Sequence, residues 1–383
     1  MTGPARPTSM RAAVLSADGT LAVENIPVPR PRAGEALIRV ESVGVCHTDL
    51  HVLKGEVGFP KPCVLGHEVS GTIVELGDDD SEEAGADSGP RLAVGDRVVG
   101  GFIMPCTRCE ACRAGRDDLC ENFFAQNRLK GTLYDGETRL HRADGTPLAM
   151  YSMAAMAQYC VSPVSGLAAL PEGLPSDTSA ILGCAAMTAY GAVSRAAGLQ
   201  PGQTVAVVAT GGVGMGVVQI ARALGASRVI AVDVSDDKLA LAARLGATDV
   251  VNSLDADPVA AVRALTGGRG VDVAFEALGR PQTFEQASRM LADGGALVAI
   301  GIAAGAATAA IEITPLVRRS QRIIGSYGAR TRVDLPSVVE LARQGGFDLE
   351  QAVTRRYRLH EAADAFDDLA AGRILGRAII VMD

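Results

Sequence analysis

The sequence predicts an α/β protein in which a β-rich lobe is followed by a doubly wound parallel sheet. Three observations carry that expectation. From Val205 to about Ser326, short β-branched runs alternate with amphipathic segments; over residues 1–185, Pro and Gly punctuate strand-like runs; and a glycine turn, Ala209-Thr-Gly-Gly-Val-Gly214, joins a strand to a helix. Alternation of strand and helix puts helices on both faces of a parallel sheet.

The length of 383 residues is two domains' worth of chain, and a 48% apolar share supplies more than one core. The expected division is residues 1–185, 186–326 and 327–383, the last segment returning to the first lobe. In the first lobe the strand-like runs are Glu35–Val43, Gly71–Leu76 and Arg97–Gly100. In the second they are Val205–Val208, Arg228–Val232, Val250 with Val251, Val271–Phe275, Ala296–Ile300 and Ile323 with Ile324. Between the first two of these, Val217, Ile220, Ala221 and Leu224 recur at i, i+3, i+4 and i+7, the stripe of a helix buried on one side. Residues His360–Ala371 read as a helix and Arg377–Val381 as a last strand.

Charge and composition exclude several classes. There are 36 basic and 44 acidic side chains, a balance of −8, which does not suit a nucleic-acid surface. Gly294–Ile311 has Thr308 as its only polar residue, but it is mostly Ala and Gly and reads as a strand, Ala296–Ile302, followed by a loop rather than a membrane span. The N-terminal stretch MTGPARPTSMRAAVL lacks the features of a secretory signal, so the expected location is the cytoplasm. Asp78–Asp87, with six acidic residues, reads as a solvated insertion.

In a reducing compartment the eight cysteines are expected to be metal ligands or small buried hydrophobes rather than disulfides. Cys106, Cys109, Cys112 and Cys120 are spaced C-x2-C-x2-C-x7-C within a loop at about 101–122. Four thiolates close a tetrahedral sphere and leave no place for substrate, which predicts structural zinc. An iron–sulfur cluster is the competing occupant, but ferredoxin-type spacings differ and the trailing Cys-Pro is missing. A second set is dispersed: Cys46 at the end of a strand-like run, His67 in Gly66-His-Glu-Val-Ser-Gly71, and Cys184 opening a helical stretch. Singly, each reads as core. Jointly they offer two sulfurs and an imidazole with a vacant fourth position, as a catalytic zinc requires.

The glycine turn has the context of a dinucleotide site. Backbone amides at the helix N-terminus can bind a pyrophosphate, with Gly211, Gly212 and Val213 lining the turn and Gly214 letting helix and strand approach. Ala209 replaces the first glycine, which is tolerable if its φ is negative. Asp233 ends the second strand, where a carboxylate hydrogen-bonds an adenosine ribose and repels a 2′-phosphate, favouring NAD over NADP.

The order GVCHTDxH, GHExxG, a four-cysteine loop, GCxxxTxYGA and a glycine-rich turn resembles the zinc-dependent medium-chain alcohol dehydrogenases, from about Arg11 to Val381. The resemblance implies a GroES-like catalytic domain, a Rossmann domain, two zinc ions per chain, and NAD-linked interconversion of an alcohol with its aldehyde or ketone. It implies that Thr48 lies beside the substrate oxygen and that His51 is the terminal base of a proton exit. Asp49 would orient His67, the alternative being a helix cap, and Glu68 would sit beside the metal. His47, Thr188, Lys238, Arg377, Ile300 and Ile302 look like further cofactor contacts, and Val57, Phe102 and Met187 like the substrate pocket, which an uncharged primary alcohol fits. Cys63 and Cys160 match no ligand position and are expected to be structural.

Oxidation of a thiol adduct of formaldehyde, which needs basic residues at the pocket mouth, is the alternative substrate reading. A zinc-free quinone reductase lacks these cysteines, a polyol dehydrogenase often has Glu for the second Cys, and a non-catalytic dinucleotide sensor has no need of the Cys46, His67 and Cys184 set. The partners implied are a small alcohol or aldehyde, no nucleic acid, no membrane, and further copies in a homodimer or homotetramer.

Overall fold

The computed structural model describes residues 7–77, 92–303 and 305–382, so the acidic tract Asp78–Asp87 lies outside the described residues. Six strands form the parallel sheet, in the order Asp249–Asn252, Arg228–Asp233, Thr204–Val208, Val271–Glu276, Leu291–Ala299, Arg322–Gly325. The chain enters at the middle of the sheet and winds outward in both directions. Such an order leaves a crevice where the winding reverses, next to Thr204–Val208.

Local sequence explains these elements. Val205–Val208 and Val229–Asp233 are buried along their length, which is why each reads as an unbroken apolar run. The intervening helix, Gly212–Ala223, buries Val217, Val218, Ile220 and Ala221, each branched aliphatic side chain adding about 1.5–3 kcal/mol of transfer free energy. Side-chain caps start the next helices: Ser235 accepts from the Lys238 amide, and Asp257 from the Ala260 amide at 2.7 Å with Pro258 following it.

The apolar run after Gly294 departs from expectation. Its strand is Leu291–Ala299, and Ile300 and Ile302 lie beyond it. The amides of Ile300 and Gly301 both turn to the Glu276 carbonyl, at 2.8 and 3.0 Å, and this ends the regular ladder. No helix among the described residues is long and apolar enough to cross a membrane.

The other two sheets are built mainly from the first half of the chain. One runs Leu167–Ala169, Arg97–Gly100, Val69–Leu76, Glu35–Val45, Arg377–Val381, Val353–Arg358, with Tyr159–Pro163 also on Glu35–Val45. The other runs Leu21–Pro27, Ser9–Leu15, Cys63–Val64, Pro147–Met150, Leu140–His141. Glu35–Val45 is the hub. Two register shifts, between Leu37 and Ile38 and between Val40 and Ser42, increase its twist as it runs toward Cys46. Val99 and Ile379 from this lobe pack in the same apolar cluster as Val205 and Val217 of the parallel-sheet lobe, so the two lobes meet through an apolar contact.

Candidate active site

Three elements converge on one point between the lobes. Glu35–Val45 ends at Cys46, which stands at the N-terminus of the helix His47–Leu53. Gly66 then turns the chain with φ of 102°, where a Cβ would lie 2.6 Å from the Met156 amide nitrogen, and His67 and Glu68 follow it into Val69–Leu76. Cys184 opens the helix Ala185–Tyr190. One donor atom each of Cys46, His67, Glu68 and Cys184 lies within 4.8 Å of the others, and all four residues are buried.

Asp49 lies inside the helix His47–Leu53, and Cys46 occupies the cap position, so the capping alternative for Asp49 is set aside. Its Oδ2 stands 3.0 Å from His67 Nδ1, while Oδ1 accepts from the Gly66 amide at 3.0 Å. This holds the ring with Nε2 toward the cluster, 3.8 Å from Glu68 Oε1. Nε2 is buried with no hydrogen-bond partner. An orphaned buried nitrogen costs about 1–3 kcal/mol unless something accepts its lone pair or proton, and two sulfurs with an imidazole are the donor set that zinc takes.

Electrostatics agree with a cation-seeking site. A hydrogen bond from Cys184 holds the Cys46 thiol well below its ordinary value, and the same bond raises Cys184. Burial pulls the His67 imidazolium down, but the charges of Asp49 and Cys46 outweigh it and push it up to about 10. Burial raises the Glu68 carboxyl to about 7 despite Arg377 beside it.

The four-cysteine loop is a second cluster, with its sulfurs within 4.8 Å of one another. Amides point at the sulfurs: Cys106 N to Cys120 Sγ at 3.2 Å, Cys109 N to Cys106 Sγ at 3.4 Å, and Phe123 N to Cys120 Sγ at 3.4 Å. Asn122 Nδ2 adds a donor to Cys106 Sγ at 3.2 Å. Burial raises the Cys106 thiol, yet these donors bring it to about 7. Arg332, on the helix Thr331–Arg343, donates to Asp117 and to the Cys112 carbonyl at 2.8 and 2.7 Å, tying the loop to the far end of the chain. Cys63 and Cys160 are fully buried elsewhere, and burial pushes the Cys63 thiol up to about 12.

At the glycine turn the helix starts as expected, and a Cβ on Gly214 would sit 2.0 Å from the Ala209 carbonyl oxygen. Ala209 itself has φ of 71°, so the condition under which an alanine is easily tolerated there, a negative φ, is not met. The turn needs the left-handed conformation whichever residue stands there, and the methyl group stays under strain. Asp233 ends its strand, buried, with its carboxylate engaged by the chain: Oδ2 accepts from the Thr210 amide at 2.7 Å and hydroxyl at 3.1 Å, and Oδ1 from the Val234 amide at 2.8 Å. Lys238 is half-buried on the helix Asp236–Arg244. Thr188 is half-buried, its amide on the Cys184 carbonyl at 2.7 Å. Ile300 is half-buried, whereas Ile302 is 69% exposed.

Arg377 bridges the two regions. It is 6% exposed, donates to both carboxylate oxygens of Glu68, and lies so close over the turn that a Cβ on Gly212 would meet its Cδ at 2.6 Å. Its Nε is buried without a partner. His47 is exposed and feels the charges of Arg377 and Lys238.

Thr48 Oγ1 is 3.6 Å from Cys46 Sγ, and His51, one turn further along the same helix, is half-exposed with Nδ1 on the Glu56 carboxylate. Of the expected pocket residues, Phe102 is buried with its ring edge-on to His67 at 4.9 Å. Met187 is fully buried, its terminal methyl toward Gly101, the residue before Phe102. Val57 is 36% exposed on the loop after the helix, its amide on the His51 carbonyl at 3.1 Å, and does not join them.

Sequence reasoning passed over Tyr151, Tyr327, Arg128 and Glu56. Tyr151 stands edge-on to His67 at 6.0 Å and sends its hydroxyl toward the Thr48 carbonyl at 3.5 Å. Arg128 lies over the rings of Tyr151 and Phe102 at 4.4 and 5.5 Å, and Tyr327 packs on Phe102 at 6.4 Å. No spacing pattern announces these residues. Only Glu56, five positions from His51, was near enough in sequence to be suspected.

Comparison with known proteins places the geometry in context. A family model described as an alcohol dehydrogenase GroES-like domain matches residues 32–172, and one described as a zinc-binding dehydrogenase matches residues 212–344. A probable S-(hydroxymethyl)glutathione dehydrogenase of Schizosaccharomyces pombe is 34% identical, over 98% of this chain and 97% of its own. An S-(hydroxymethyl)glutathione dehydrogenase of Escherichia coli O1:K1 is 36% identical, over 96% and 99%. Among solved structures, an alcohol dehydrogenase zinc-binding domain protein from Burkholderia ambifaria superposes with a TM-score of 0.90 at 33% identity, covering 98% of this chain and 99% of the other. Benzyl alcohol dehydrogenase from Acinetobacter calcoaceticus gives 0.89 at 30% identity, covering 98% and 100%.

Proposed function

The chain belongs to the zinc-dependent medium-chain alcohol dehydrogenases, and from that premise we propose that it interconverts an alcohol and its carbonyl compound with NAD, using one catalytic and one structural zinc. The observation that carries the site assignment is the convergence of buried donor atoms from Cys46, His67 and Cys184 within 4.8 Å of one another. Cys46, His67 and Cys184 would hold the catalytic ion, and Cys106, Cys109, Cys112 and Cys120 the structural one. Zinc supplies a Lewis acid for the substrate oxygen and NAD the hydride acceptor.

The chain's own residues do the rest. Asp49 fixes the His67 ring and strengthens it as a donor. Thr48, beside Cys46, positions a hydroxyl to take up the substrate proton, and His51 receives it at the surface, with Glu56 steadying the imidazole. Phe102 and Met187 keep water from the carbinol carbon. Gly211 to Gly214 and Arg377 cradle the pyrophosphate, with His47, Thr188, Lys238, Ile300 and Ile302 around the rest of the dinucleotide. Asp233 favours NAD through charge: although its oxygens already accept from Thr210 and Val234, a 2′-phosphate would meet the same buried carboxylate.

On this reading residues 1–185 with 327–383 form the catalytic unit and 186–326 the dinucleotide-binding unit. The protein works in the cytoplasm as a homodimer or homotetramer. The full-length likeness to two S-(hydroxymethyl)glutathione dehydrogenases supports a thiol adduct of formaldehyde as a second substrate reading.

The test is direct. Cys46→Ser and His67→Ala are expected to lose one zinc per chain and all alcohol turnover while still binding NADH. Full turnover in either variant, or in zinc-stripped protein, would refute the assignment.

A further inference from the structure

The wall of the site holds a cation that the proposed mechanism does not use. Arg128 closes the turn Phe123–Arg128, whose seat is fixed by the Asn127 side-chain amide donating to the carbonyls of Met150 and Ser152 at 3.2 and 3.0 Å. Its guanidinium lies over Tyr151 and Phe102 at 4.4 and 5.5 Å, the two rings that stand edge-on to His67 at 6.0 and 4.9 Å. Arg128 is therefore one ring's breadth from the cluster of Cys46, His67 and Cys184. Tyr327, which packs on Phe102, feels its charge and shares a side-chain hydrogen bond with it.

Arg128 Nη1 is buried and has no hydrogen-bond partner, and Arg128 pairs with no carboxylate among the described residues. A guanidinium is always charged and carries five donors in a rigid fork, so an unanswered buried nitrogen is expensive. Two aromatic faces and a side-chain hydrogen bond with Tyr327 soften that cost, but Nη1 stays unanswered. The faces of Tyr151 and Phe102 that it meets are flat walls, which suit an aryl or similarly planar spacer.

Resting on the alcohol dehydrogenase reading, we propose that Arg128 is a specificity-determining residue, and that the preferred substrate is a primary alcohol, or its aldehyde, carrying a carboxylate across a short flat spacer from the carbinol carbon. The carboxylate supplies the acceptor that Arg128 Nη1 lacks, while the carbinol end reaches the cluster. This replaces the uncharged alcohol expected from Val57, Phe102 and Met187.

The experiment compares 4-(hydroxymethyl)benzoate with benzyl alcohol, two alcohols of one shape that differ in the anion, on zinc-loaded enzyme with NAD. Wild type is expected to favour the carboxylated alcohol in kcat/KM by at least about tenfold, the weight of one charge-assisted hydrogen bond. Arg128→Gln should bring the ratio to about one or below, mainly by raising KM for the carboxylated alcohol, and Arg128→Lys should restore part of it. Reading a ratio within each variant cancels any general loss, and NADH binding with zinc content confirms that each is folded. A wild-type ratio of one or less overturns the proposal, as does a ratio unchanged in Arg128→Gln, which would make Arg128 only part of the wall. In both cases turnover of benzyl alcohol leaves the alcohol dehydrogenase reading standing. If wild type turns over neither alcohol nor any other alcohol tested, that reading falls and takes the proposal with it.

Discussion

Gly211 and Gly214 are three residues apart in one turn, and the structure gives them different tasks that a pair of alanine variants can separate. A Cβ on Gly214 would lie 2.0 Å from the Ala209 carbonyl oxygen and 3.0 Å from its carbon. That is more than about 1 Å inside ordinary contact distance. The obstruction is backbone, held by the strand Thr204–Val208, so no rotamer relieves it and the helix Gly212–Ala223 must withdraw. Such overpacking costs about 1–3 kcal/mol. A shift of the helix start by about 1 Å also misdirects its amides, a displacement that weakens a positioned interaction by up to about 100-fold. Gly211→Ala is another matter. Nothing lies within 4 Å of its Cβ position, and its φ of −73° suits any residue. Stability should stay within about 1 kcal/mol of wild type, the size of a lost N-cap preference. The new methyl would instead occupy space that the proposed pyrophosphate site needs. NADH fluorescence titration and thermal unfolding together decide the matter. The expected result is weak NADH binding in both variants, with a lowered unfolding temperature in Gly214→Ala alone. Equal destabilisation of the two, or Gly214→Ala binding NADH within threefold of wild type, would refute the reasoning.

Ala209→Gly should stabilise the protein by about 0.5–1 kcal/mol, because relief of a left-handed alanine, about 1–2 kcal/mol, exceeds the extra freedom glycine gives the unfolded chain; a loss of stability in a denaturant titration would count against strain at that position. Cys112→Ser is expected to remove one zinc per chain and lower the unfolding temperature while NADH binding persists at low temperature; metal analysis still finding two zincs would contradict the four-sulfur site. For Asp135, burial raises the carboxyl, but hydrogen bonds from Arg139 and the Glu137 amide outweigh it and hold the group at about 2 against an ordinary 3.8. A depressed pKa contributes stability above the unfolded value and loses it as pH falls through the folded one, so this contribution disappears between about pH 4 and 2. After discounting for its exposure the effect is about 1 kcal/mol, and Asp135→Asn should flatten the acid limb of stability by that amount; identical acid limbs would show the pairing to be without weight.

What could be read in advance was whatever depends on short-range pattern. The parallel strands announced themselves because a strand buried on both faces must be apolar throughout, as in Val205–Val208. The clustering of the loop cysteines was legible because a metal would fix both residue type and spacing, and four thiols spaced C-x2-C-x2-C-x7-C in one loop seldom occur without an ion to hold. Ala209 shows the first limit. A replacement is visible in sequence, but its φ is set by the strand and helix it joins. Asp233 shows the second, since the amide of Val234 and the hydroxyl of Thr210 claim its oxygens only once the turn has closed. Arg128 marks the furthest limit. Its significance lies in the rings of Phe102 and Tyr151, residues remote from it in sequence, and in the absence of a carboxylate partner among the described residues.

The strand Arg377–Val381 lies between Glu35–Val45 and Val353–Arg358, with Ala378 paired to Val45. During translation the first lobe therefore waits for residues synthesised after the whole six-stranded sheet, which has every strand it needs once Gly325 has emerged. Closing so long a loop is slow, and until it happens a hydrophobic edge of the nascent lobe stays open to association with other chains. Arg377 arrives on that strand, so a prematurely terminated polypeptide would lack the guanidinium paired with Glu68 and would leave a buried carboxyl group without its partner in an incomplete lobe.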